Sequence, residues 1–430
     1  MEYVIVAAAA VTLFLLVRIG LGARVARRAL WVLTLAFVAR LLIHVLVIRS
    51  NSIAYGGDNF VYEGRALEIV AYWRREGFAF VTEEQIESLH SVAVPCNVFA
   101  MIIYLCGGPA PLACTAFVAL VACGLCIVMY RFARLIGADE RAAFRLMTVM
   151  AFMPAFMLHT SDTFKDGFNA FLIVACLGLA ASNAQRFDMR KLILLGPLLW
   201  ALWNVRPYMV FICLIPLIFG LASLKHAFPL CVLVISATLL VPLLASPDVA
   251  ESTPFAVMQE QLERGQSESF RRANAEGGSG IVFNDGGNPW GAFVPKLIYT
   301  LLSPFPWMDG SPVLQLAKIE TVLWYYLLWC AASGMRRMWG DSRRMLLILL
   351  LFAVPCTIVY TTTMSNVGLI FRQRMPIVMV VSLLSAVAWT RIPQDGRQLA
   401  SGTGTGPVTT GSAASARSSG TAGKAPAGVP

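Results

Sequence analysis

The sequence predicts an all-α integral membrane protein, a polytopic helical bundle of about eleven transmembrane helices with external interfacial helices. Three observations carry this expectation. Hydrophobic residues make up 58% of the 430 and charged residues only 13%, against about 45–50% and about 25% in soluble domains. The mean hydropathy is +0.69, and the apolar residues fall into separate runs of roughly 15–22, the length a bilayer core asks of a helix. Lys and Arg gather in short clusters between those runs, where they act as topology signals.

The expected spans are 3–22, 29–48, 111–130, 143–159, 166–184, 191–205, 207–223, 227–244, 314–333, 345–361 and 375–391. The first begins after Met1-Glu2-Tyr3 with no basic n-region and no A-x-A site, so it reads as a retained span. Basic clusters follow at Arg24, Arg27 and Arg28, at Arg131–Arg145, at Arg186–Lys191, at Arg336–Arg344, and at Arg391 and Arg397. With alternating spans all of them share one side, which is expected to be the cytoplasm, leaving the N-terminus outside and the C-terminus inside. Residues 93–107 are apolar too, but a crossing there would move Arg131–Arg145 outside. They are expected as a juxtamembrane or re-entrant helix.

The membrane domain is therefore 1–392, with external loops 50–92 and 246–313. In the first loop, Asp58–Arg75 is amphipathic. Phe60, Ala66, Ile69, Val70 and Trp73 share a face while Glu63 and Arg74 look away, the pattern of a helix lying along the interface. The second loop carries Gly277, Gly278, Gly280, Gly286 and Gly287 and is expected to be a lid, ordering near Gly277–Pro289 over bound lipid or acceptor. Residues 393–430 are rich in Gly, Ser, Thr, Ala and Pro, a disordered cytoplasmic tail.

The net charge of +10 belongs to the loop clusters and to anionic headgroups, so no nucleic-acid partner is expected. The ten cysteines lie almost all within apolar runs and behave as small hydrophobes. Cys123 and Cys126 form a CxxC inside a span, without the second pair or histidine a zinc site needs.

That topology collects Asp58, His159, Asp162, Lys165, Asp166, Arg206, Arg372 and Arg374 at the external face, from four stretches of chain. Charges at span ends persist by facing water, each other or a ligand. Asp58 follows two glycines, which let the backbone turn and expose the carboxylate, with Tyr62 one turn on. It reads as a functional acid or as the N-cap of the interfacial helix. Asp162 and Asp166 stand at i, i+4 around Lys165. On a helix start they would face one way, as a general base or metal ligands, or else would cap the helix. Arg206, followed by Pro207-Tyr208, and the pair Arg372 and Arg374 suit a phosphate clamp, since guanidinium forks hold phosphate oxygens bidentately; Arg372 and Arg374 equally read as snorkelling anchors of the last span. None has an evident carboxylate partner in sequence. No Walker A, HExxH or GxSxG motif is present, which removes support for an ATP-driven machine or a classical hydrolase.

Together these residues resemble the polytopic GT-C glycosyltransferases, especially bacterial relatives of protein O-mannosyltransferases and aminoarabinose transferases. The resemblance rests on Gly57-Asp58-x-x-x-Tyr62-x-x-x-Ala66, a juxtamembrane helix ending near Gly107-Gly108, and Pro154 before a span end. It continues through the Asp162/Lys165-Asp166 loop, Arg206-Pro207-Tyr208, and Arg372 and Arg374. It spans roughly residues 29–391 in short pieces. It implies a GT-C-like bundle in the bacterial cytoplasmic membrane, active on the outer face. A sugar would pass from a polyprenyl phosphate to a glycan, lipid or protein acceptor, as in cell-envelope polysaccharide biosynthesis. Asp58, with Asp162 and Asp166, would be the catalytic acids. Tyr62, His159, Lys165, Arg206, Tyr208, Arg372 and Arg374 would bind substrate. Many such enzymes carry two adjacent acids in the first loop, whereas Asn59 follows Asp58 here. A divalent cation (Mg or Mn) at Asp58 or Asp166 is therefore left open. Two other readings stand beside this one. A polysaccharide polymerase or ligase would use the same lipid-linked donors. A transporter of lipid-linked sugar or small solute would show ionisable residues near mid-membrane, of which Arg40 is the clearest, and an internal repeat.

Overall fold

A computed structural model describes residues 1–50, 57–221, 267, 283, 290–308, 312–363, 370 and 372–391. The expected span 227–244, the Gly277–Pro289 lid, Tyr55-Gly56 and the tail 393–430 lie outside the described residues. The chain divides at Thr390 into two units, and the described fold is that of the first.

All regular structure among the described residues is helical. Five helices are long and apolar enough to cross a membrane. These are α1 (Glu2–Gly20), α2 (Ala23–Ile43, continued by a π turn over His44–Ile48), α5 (Pro111–Leu135), α8 (Asp166–Gln185) and α13 (Arg343–Thr362). Between them run α3 (Asp58–Glu76), α4 (Ala93–Cys106), α6 (Glu140–Ala151), α7 (Pro154–Leu158), α9 (Met189–Trp203), α10 (Pro207–Leu221), α11 (Phe293–Leu302) and α12 (Pro312–Asp341). The last is α14 (Met375–Ala388). The chain is thus a helical membrane protein.

Helix α5 is the pillar. It packs against α1, α2, α6, α8 and α14, and its buried face is rich in small residues: Ala113, Cys114, Ala116, Ala119, Ala122 and Cys123. Lipid tails give helices no hydrophobic reason to associate, so close packing over small residues has to supply it. The same logic joins α12 to α14, where a Cβ on Gly334 would overlap the Leu384 carbonyl. Large apolar side chains such as Ile19, Trp31, Leu35, Ile193 and Trp329 point outward. On a membrane protein that is the lipid-facing surface.

The expected span 143–159 is broken. Pro154 has no N–H to give and disfavours helical backbone at Met153, which is extended (φ −62, ψ 122). So α6 stops and the single turn α7 restarts the helix. Helix α4, at 14 residues, reaches about 21 Å and packs on α3 and the start of α5. Gly107 closes it in the left-handed region (φ 79), with Gly108 N–H bonding the Ile103 carbonyl at 3.2 Å. On α3 the buried stripe is Asn59, Tyr62, Ala66, Ile69, Val70 and Trp73. The expected face is corrected at two positions: Phe60 is 57% exposed, because it stands one residue, about 100°, from Asn59, and Glu63, expected to look away, is part-buried against Arg49 and Thr163.

The helix ends that carry the Arg131–Arg145, Arg186–Lys191 and Arg336–Arg344 clusters meet at one end of the bundle. There Arg337 Nη1 bonds the Thr390 carbonyl at 2.9 Å, Asp139 N–H bonds Thr390 Oγ1 at 3.2 Å, Gln185 Nε2 bonds the Leu135 carbonyl at 2.8 Å, and Arg344 Nη2 bonds the Gly220 carbonyl at 2.7 Å. The polar residues singled out from sequence lie at the other ends of the same helices.

Candidate functional site

The break at Pro154 creates the site's scaffold. After α7 the chain runs through His159–Lys165 before α8 begins at Asp166. The hydroxyls of Thr160 and Ser161 bond back to the Phe156 and Met157 carbonyls, both at 2.6 Å, satisfying the end of α7. Arg40, fully buried on α2, pins this turn. Its Nε donates to Thr160 Oγ1 at 2.7 Å and its Nη1 to the carbonyls of Ala36 (3.0 Å) and Ala151 (3.2 Å). The guanidinium lies over Phe156, 5.2 Å from the ring centroid. Glu320 on α12 accepts the Ala155 N–H, a first-turn donor with no partner inside α7. Arg40 thus serves the fold where sequence alone left a transporter charge open.

From that turn Asp166 projects between two arginines. Its Oδ1 accepts from Arg206 Nη2 at 3.3 Å, and its Oδ2 lies 3.0 Å from both Nε and Nη2 of Arg372. Arg372 Nη1 donates to Asp58 Oδ2, and Phe164 underlies the guanidinium at 5.6 Å. Arg206 Nη1 reaches the hydroxyls of Tyr208 (3.2 Å) and Tyr360 (3.4 Å). Neither acid caps its helix: Gly57 and Lys165 occupy the N-cap positions of α3 and α8, without side-chain cap bonds. The arginines are not unpartnered, as they look in sequence, because their carboxylates come from helices far away in the chain. Exposure separates the two acids. The Asp166 side chain is 1% exposed and that of Asp58 is 45%.

Lys165, Tyr62 and His159 surround this core. Lys165 Nζ bonds the Ser91 carbonyl at 3.2 Å. Burial, joined by the positive charge of Arg206, lowers its ammonium to about 7 even though Asp166 opposes the shift. Burial likewise lowers His159 to about 3, with Arg372 adding to it. Tyr62 is pushed up, first by burial and then by Asp58 and Asp166. Arg206 and Arg372 stay charged, since their partners outweigh the cost of burial.

Two residues expected here stand elsewhere. Asp162 does not share a face with Asp166, because no helix exists before Asp166 to align them. Its buried carboxylate accepts from Asn59 Nδ2 (2.8 Å), Thr163 N–H (2.8 Å) and Arg49 Nη2 (3.1 Å), with His44 Nδ1 3.4 Å away. Burial opposes its charge, but His44 and Arg49 hold the carboxyl below its usual range. Arg49 also pairs with Glu63, and Thr163 Oγ1 bonds Glu63 at 3.0 Å. This second network ties α2, α3 and the 159–165 turn together, and it explains Asn59: an acid there would face Asp162. Arg374 is also separate. It donates to the Ser303 carbonyl at 2.7 Å and lies over Trp324 at 5.2 Å. Trp324 Nε1 and the Tyr325 hydroxyl bond the Leu301 and Leu302 carbonyls at 2.5 and 2.7 Å. A cation there answers the negative end of α11.

The donor set does not fit a magnesium or manganese ion. A divalent cation takes several oxygen ligands, whereas Asp58 and Asp166 are already paired with two guanidiniums, those of Arg372 and Arg206. No group of three His, Cys, Asp or Glu side chains gathers among the described residues. The arrangement suits anion binding, with Arg206, Arg372 and Lys165 around two carboxylates, one buried and one reachable. Fold and site together define a helical membrane protein with an ionic cluster at one end of its bundle. No protein-family model matches the chain, and none of the curated proteins does.

Proposed function

We propose that the chain is a GT-C-type membrane glycosyltransferase that moves a sugar from a polyprenyl phosphate to an acceptor hydroxyl. One observation carries this reading most: Arg206 and Arg372, from the segments that precede α10 and α14, meet on a buried Asp166 beside a half-open Asp58. The fold reading that goes with it has about eleven crossings, the basic clusters and tail in the cytoplasm, and the ionic cluster on the outer face of the bacterial cytoplasmic membrane.

In this reading Asp166 is the fixed counter-ion that aims both guanidiniums. Arg206, Arg372 and Lys165 hold the donor phosphate, whose negative charge grows as the sugar C1–O bond breaks. Asp58 accepts the proton of the acceptor hydroxyl as that oxygen bonds C1, so the products are the glycosylated acceptor and polyprenyl phosphate. Asp162 and Arg374 hold the scaffold. Deleting the gene and extracting lipids tests this: a polyprenyl-phosphate-linked sugar should accumulate. An unchanged lipid profile would count against it.

A further inference from the structure

Arg372 divides its guanidinium between two acids of unequal standing. The Nε/Nη2 edge faces Asp166, which is buried and held by Arg206 as well. The Nη1 edge faces Asp58, which is 45% exposed and sits in the first turn of α3 without a cap bond of its own. Gly57 beside it would meet nothing within 4 Å even with a Cβ, so the start of α3 has room to turn. A carboxylate and a phosphate ask the same of a guanidinium edge, namely parallel N–H donors. An exposed ion pair gives way readily to a competing anion. Asp166 cannot yield without leaving two buried cations unbalanced.

We propose that the Nη1 edge of Arg372 is an exchange site, where the phosphate of a polyprenyl phosphate displaces the Asp58 carboxylate. Resting on the donor reading above, this gives Asp58 two positions: idle on Arg372 when the site is empty, and released toward the acceptor hydroxyl once the phosphate is bound. Arg372 keeps an anionic partner throughout, and the released Asp58 carboxylate, 45% exposed, is left to water rather than buried alone.

The test is equilibrium binding of a polyprenyl monophosphate to the full chain in phosphatidylcholine nanodiscs, with uncharged polyprenol as the tail-only control. Asp58→Asn and Asp58→Ala should both bind up to about fivefold more tightly than wild type, since a half-exposed competing ion pair is gone. Asp58→Glu, which keeps the competitor, should bind like wild type. In an Arg372→Gln background Asp58→Asn should gain nothing, which separates exchange at one edge from a general loss of negative charge. Equal or weaker binding by Asp58→Asn and Asp58→Ala, or a gain that persists without Arg372, would overturn the exchange while leaving the donor reading standing. Wild type binding the phosphate no better than polyprenol would overturn both.

Discussion

Asp166→Asn removes one negative charge and almost no volume, so its effect isolates the counter-ion role. In the folded protein Asp166 faces Arg206 Nη2 at 3.3 Å and Arg372 Nε and Nη2 at 3.0 Å, with its side chain 1% exposed. Each charge-assisted bond is worth about 1.5–3 kcal/mol, and breaking a buried pair typically costs about 3–5 kcal/mol. Both arginines keep other partners, Asp58 for Arg372 and the Tyr208 and Tyr360 hydroxyls for Arg206. The expected loss is therefore at the low end, about 3 kcal/mol. Asp58→Asn breaks a half-open, water-screened pair and should cost no more than about 1 kcal/mol. Reversible unfolding in mixed micelles with increasing dodecyl sulfate measures both. Equal losses, or an Asp166→Asn loss below about 1 kcal/mol, would refute the division into fixed counter-ion and mobile acid.

Two further outcomes follow from the same geometry. Burial lowers Lys165 to about 7, so the ammonium is present below that pH and lost above it, while a donor phosphodiester keeps one charge throughout. Donor affinity should fall several-fold from about pH 6 to about pH 8, and Lys165→Arg, which stays charged, should flatten the profile. Arg374→Gln removes the bond to Ser303 and the contact with Trp324. It should cost about 2 kcal/mol of stability and leave donor affinity within about twofold of wild type, as read by the same unfolding and binding measurements.

Much of this architecture was legible in sequence, because bilayer length and loop charge constrain it tightly. The helical class and the shared end of the Arg131–Arg145, Arg186–Lys191 and Arg336–Arg344 clusters follow from run lengths and Arg positions. So does the meeting of Asp58, Asp166, Arg206, Tyr208 and Arg372, since all close the same ends of neighbouring helices. What could not be read was direction. Arg372 and Arg374 are two residues apart, yet Arg374 stands in the turn before α14 and points to the end of α11. Asp162 looked like a partner of Asp166 only if a helix already ran through both. Phe60 stands one residue off the buried face, a shift that spacing alone does not resolve. The Arg49–Glu63–Asp162–His44 network went unnoticed because each member, taken singly, is an ordinary polar residue near a span end. Its meaning lies in contacts across roughly a hundred residues of chain, and no local spacing records them.

The most direct test of the phosphate clamp is the affinity of the purified protein for a polyprenyl-phosphate sugar when Arg206 becomes Gln. Arg206 pairs with Oδ1 of Asp166 while Arg372 holds Oδ2 and Asp58, so its loss leaves Asp58 and its contact with Arg372 in place. Binding should weaken by about ten- to a hundredfold, the equivalent of one charged hydrogen bond. A folded Arg206→Gln protein that binds the donor as tightly as wild type would contradict it.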